Sequence, residues 1–161
     1  MNEVALFASI LILITVAVWV LIKQKQGDDA LFEAKRKLRS LDELYGSTEA
    51  YGTFCEFMVL AIRFKISPVM FGFDSYIQIA DRAEQSLILS LRKSREESNQ
   101  INHSLSEVSH IEERTRLEKA RKTWKQSIFD AERDLDSFKE VKSKLAQPQQ
   151  IDWEHLLRLA A

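Results

Sequence analysis

Between residues 4 and 22 the chain is apolar at every position except Ser9 and Thr15, and it carries no charge there. Nineteen residues at about 1.5 Å of rise per residue come close to the roughly 30 Å thickness of a hydrocarbon core. The pattern therefore predicts a transmembrane helix, with Val4, Leu11, Ile14, Trp19 and Ile22 as membrane-anchoring positions. A cleaved signal peptide fits less well. Its start is cationic and its apolar stretch is about 7–15 residues, whereas this chain opens Met-Asn-Glu and follows the run with Lys23-Gln24-Lys25.

Beyond the run the polar and apolar positions alternate with helical spacing. Gly27-Asp28-Asp29 suits a break and an N-cap before a helix over residues 31–45. Its apolar stripe is Leu31, Phe32, Leu38, Leu41 and Leu44, and Gly46 fits its C-terminus. Ser47 or Thr48 suits the cap of a second helix reaching about residue 66, and Ser67-Pro68 stops it. That helix is apolar around most of its circumference, with Glu56 and Arg63 on a narrow polar face. Such a helix belongs in a core or against an apolar phase. The expectation is a core helix carrying Phe54, Phe57, Leu60 and Phe64, with residues 69–73 packing there or touching headgroups.

Residues 73–147 contain no Gly and no Pro. One rod of that length would reach roughly 110 Å. The pattern favours two helices forming an antiparallel hairpin. Phe73, Ile77, Ala80, Leu87 and Leu91 recur at three- and four-residue spacing, and then residues 92–100 hold no apolar side chain. Turn chemistry at Asn99, Asn102 and Ser104 follows, and apolar spacing resumes at Ile101, Leu105, Val108 and Ile111. In the second arm Leu117, Trp124, Ala131, Phe138 and Leu145 recur every seven residues, with Ile128 and Leu135 as companions. Arg121 and Lys142 interrupt the companion row, so the seam is imperfect. Leu117, Trp124, Ile128, Leu135, Phe138 and Leu145 are thus the candidate partner or oligomer seam. Pro148 ends the arm, and Asp152 suits the cap of a short helix bearing Trp153, Leu156 and Leu157. The expected fold is all-α: an N-terminal anchor (1–26), a helical bundle with a long hairpin or coiled coil (27–147), and a terminal helix (148–161).

Charge adds a direction to this layout. Glu3 is the one charge before residue 23, which leaves 23 basic and 23 acidic side chains in the remainder. The basic flank Lys23, Lys25, Lys35, Arg36, Lys37 and Arg39 predicts a cytoplasmic C-terminal domain and an outward N-terminus. Zero net charge over the helical part is not a nucleic-acid-binding composition. One cluster departs from the average: Arg114, Arg116, Lys119, Arg121, Lys122 and Lys125 surround Trp124, a candidate contact for anions, headgroups or an acidic partner. Asp130, Glu132, Asp134 and Asp136 follow, and alternating blocks of this kind usually make a solvated, pair-forming surface.

Little in the chain suggests catalysis or a cofactor. Cys55 is the single cysteine, in an apolar helix where an inert thiol is expected. Glu107 and His110 form one Glu-x-x-His pair with Glu113 three residues on, whereas a di-metal bundle uses two such pairs and two more glutamates. The four glycines are isolated, so no phosphate loop exists. The expected function is non-enzymatic: a single-pass membrane scaffold or adaptor that gathers protein partners through helical surfaces, with homo-oligomerisation along the seam. A metal-binding bundle enzyme is a distant alternative. Another alternative places the helices outside the cytoplasm. In arrangement that resembles the inner-membrane spanin subunits of phage lysis systems, although the chain has no basic residue before its apolar run to favour such a topology.

Overall fold

The computed structural model describes residues 3–43 and 49–160, with side chains from 11 to 41, at 43, and from 49 to 160. Within these limits the chain is all-α. Its helices are α1 (Glu3–Glu43), α2 (Ala50–Arg63), α3 (Tyr76–Glu107), α4 (Ile111–Lys144) and α5 (Trp153–Ala160), with 3₁₀ turns at Pro68–Phe71 and Pro148–Gln150. The helices pack as a bundle around α2.

The core forms because each helix turns one stripe toward α2. α2 itself buries Ala50, Tyr51, Phe54, Cys55, Phe57, Met58 and Ala61. α1 contributes Ala30, Ala34, Leu38 and Leu41, a row in which two alanines permit close approach. α3 adds Ile79, Ala80, Ala83 and Leu87, and α4 adds Ala131, Phe138 and Val141. Phe54 lies centrally, with its ring centroid 5.3 Å from Phe138 and 5.8 Å from Trp153. The two charges of α2's polar face each tie a neighbour: Glu56 pairs with Lys37 of α1, and Arg63 with Glu154 of α5.

Several expected boundaries move. Residues 27–29 do not break the chain, because α1 runs through them in one 41-residue helix. Phe32 leaves the expected stripe and is 71% exposed. α2 ends at Arg63, before Pro68. The amide of Ile66 donates to the Ala61 carbonyl (2.9 Å) and that of Lys65 to Ile62 (3.2 Å), a Schellman closure. Lys65 takes the left-handed position at φ 53° that glycine usually fills. Phe64 lies beyond the helix and is exposed rather than core. The expected helix end at Leu44–Gly46 and the cap at Ser47 or Thr48 fall outside the described residues.

The hairpin turns later than the pattern predicts. α3 continues through residues 99–104 and ends at Glu107, and three residues separate it from the start of α4. A seam made of serine runs into the polar stretch after Leu91: Ser86, Ser90, Ser94 and Ser98 are buried at four-residue spacing. Small side chains let two helices approach closely without a broad apolar surface. Across the pair Lys142 contacts Asp81 (2.5 Å) and Glu84 (2.7 Å), and Arg95 contacts Glu132 (2.6 Å).

The single-pass membrane placement is overturned. Among the described residues no helix is long and apolar enough to cross a membrane. Val4 lies outside the described side chains. Leu11, Ile14, Trp19 and Ile22 are exposed side chains on a helix that continues into the bundle. The outward N-terminus and cytoplasmic domain rested on that span and fall with it.

Candidate interaction surface

The α3–α4 pair divides into a base and an arm. At the base, α3 and α4 pack into the core up to Leu91 and from Ala131 onward. Between those points the described residues of the two helices bury only Ser94 and Ser98. The arm therefore consists of residues 92–107 and 111–130, helices that expose most of their circumference.

The heptad seam straddles this division. Phe138 and Leu145 are buried in the core, and Ile128 and Leu135 pack partly buried against it. Leu117 and Trp124 are half-buried along the arm. Lys142, the companion-row interruption, is half-buried between Asp81 and Glu84, whose hydrogen bonds raise its pKa. That interruption is thus answered within the chain. The lower seam packs this chain's own bundle.

The basic cluster lies on the arm. Arg114, Arg116, Lys119, Lys122 and Lys125 are exposed, and Arg121 is half-buried. Arg114 pairs with Glu118 one turn on (3.4 Å). The other five form no ion pair among the described residues. An apolar residue completes the surface: Phe129 is 62% exposed, off the heptad phase. Lys119, Lys122, Lys125 and Phe129 follow at spacings of three and four, which places them on one side of α4. The heptad reading passes over Phe129. Its signal in the sequence is an aromatic beside, rather than in, the repeat.

The remaining candidate chemistry is dispersed or sealed. Glu107 ends α3 while His110 stands outside α4, so the pair does not share one helical face. His103 Nδ1 lies 3.5 Å from Glu107, both exposed. Among the described residues no three His, Cys, Asp or Glu side chains gather to hold a metal. Cys55 is fully buried and its thiol is pushed up to about 12, chiefly by burial, with Asp134 and Glu56 adding to it. Burial also raises Tyr51, whose hydroxyl lies beside the Cys55 thiol. A protonated, enclosed thiol is a poor nucleophile.

Comparison with known proteins found no matching family model, no similar curated protein and no similar solved structure.

Proposed function

We propose that the chain is a non-enzymatic helical adaptor that recruits a partner protein through the arm of α4. One observation carries the reading: Lys119, Lys122, Lys125 and Phe129 form a solvent-facing row in which the cations have no ion-pair partner among the described residues. Unpaired cations beside an exposed aromatic suit a partner that offers carboxylates around an apolar pocket. Charge complementarity of that kind steers encounter and fixes register, and the aromatic supplies the buried anchor. The core at the base holds the arm in place. A test is copurification from the source cells with the full chain and with its K119E/K122E/F129S variant. The adaptor reading expects a stoichiometric partner that the variant loses while its helicity and melting temperature persist. An unchanged set of copurifying proteins would reject the arm as the contact.

A further inference from the structure

The longest exposed apolar surface among the described residues lies on α1, ahead of the bundle. Burial along that helix begins at Ala30, and every side chain from Leu11 to Gln26 is exposed. Ten large apolar side chains between Leu11 and Ile22 are 48–69% exposed. They cover all sides of the helix. The one polar residue among them, Thr15, turns its hydroxyl back to donate to the Leu11 carbonyl (2.8 Å). At roughly 100 Å² each, these side chains offer about 1,000 Å², against the roughly 800 Å² that each partner gives to a stable interface. An apolar patch of that size marks a contact.

The charges at its ends say what covers it. The uncharged run spans residues 4–22, with Glu3 before it and Lys23 and Lys25 after it. Two copies laid antiparallel, with their runs in full overlap, bring the acidic position 3 of each to the Lys23–Lys25 end of the other. The stretch is then complementary to itself, as a two-fold contact requires. Parallel copies instead set lysines against lysines and align the two helix dipoles. Lys23 and Lys25 form no ion pair among the described residues. Lys23 does lean over its own Trp19 at 5.8 Å, a contact that leaves its charge in place.

We infer that residues 4–22 of α1 bind the same residues of a second copy, antiparallel and in full overlap. A lipid phase is indifferent to which end of the run carries which charge, whereas a second copy is not. Because the run is apolar all round, one neighbour covers one side, and a further pair seats on the other in the same register. The contact is separate from α4 and does not depend on the function proposed for the arm.

Sedimentation velocity of the full chain in aqueous buffer tests the inference. The wild type should run as a dimer or tetramer at micromolar concentration. L13E/V20E should run as a monomer with an unchanged melting temperature, because both side chains are exposed outside the core. Charge reversal reads the orientation. E3K and K23E/K25E should each weaken association several-fold, and the combined E3K/K23E/K25E should restore it. The arm variant K119E/K122E should associate as the wild type does. A monomeric wild type would overturn the inference, and its flotation with phosphatidylcholine vesicles would assign the run to lipid instead. Open-ended aggregates, or association that L13E/V20E leaves intact, would overturn it as well. Reversals without effect, or without rescue in the combined variant, would overturn the antiparallel contact.

Discussion

The ring of Phe138 on α4 packs 4.8 Å from that of Tyr51 on α2, edge to face, and both side chains are buried. This contact fixes where the strongest repeat in the chain is used. The heptad face of α4 closes onto α2 at its C-terminal end, so what α4 presents to solvent is the charged side of its N-terminal half.

Phe138→Ala should therefore act on folding. Truncating a buried Phe typically costs about 3–5 kcal/mol. For a chain of this size the melting temperature should fall on the order of 10 °C, read by circular dichroism. Phe129→Ala, at an exposed site, should leave it nearly unchanged. Equal losses from the two would mean that the base and arm are wrongly divided.

Asp134 provides a pH test. It is buried, and burial raises its carboxyl pKa, an effect that the hydrogen bonds from Arg133 partly oppose. A raised folded pKa means that the folded chain keeps this proton where the unfolded chain has released it. The associated stability is present below the ordinary carboxylate range and is lost as pH rises through the raised pKa. Asp134→Asn should thus melt above the wild type near pH 7, with the gap closing toward about pH 3.5. A gap that widens on acidification would reverse the assigned sign.

Lys65 tests the closure of α2. A side chain at φ 53° is strained where glycine is not. Lys65→Gly should stabilise the chain by roughly 0.5–1 kcal/mol, after allowing for the freer unfolded state. Lys65→Ala should give no such gain. Thermal melts of the two variants distinguish a relieved backbone from a removed charge.

Ser90 tests the serine seam. It is 1% exposed, and its hydroxyl has no hydrogen-bond partner among the described residues. Ser90→Ala should be neutral or stabilising, by up to about 1 kcal/mol, because it removes an unpaired buried polar group. Ser90→Leu should cost about 1–3 kcal/mol by forcing α3 and α4 apart. Urea unfolding reads both; tolerance of the leucine would show that the two helices are not closely packed there.

Apolar periodicity made much of this fold legible. α2 as the core helix, Asp152 as the cap whose Oδ1 accepts the His155 amide (2.9 Å), and the pairing of the two long helices all follow from it. The turn position did not, because a reading tuned to apolar residues misses a seam built from Ser90, Ser94 and Ser98. The end of α2 was misplaced for a similar reason. Ser67-Pro68 marks where a helix must stop, but the hydrogen bonds around Lys65 stop it earlier. The basic residues of the arm stood out as a run, whereas Lys35 and Arg39 of α1 come beside Arg82 of α3 only through the packing of the two helices.

The adaptor account is tested most directly by photo-crosslinking in the source cells. A photoreactive phenylalanine analogue replaces Lys122 on the arm in one form of the full chain, and Asp136 at the base in another. The account predicts a discrete adduct with a different protein at position 122, absent at position 136 and lost when Lys119 and Lys125 are reversed to Glu. An adduct confined to position 136, or none at 122 in a folded chain, would contradict it.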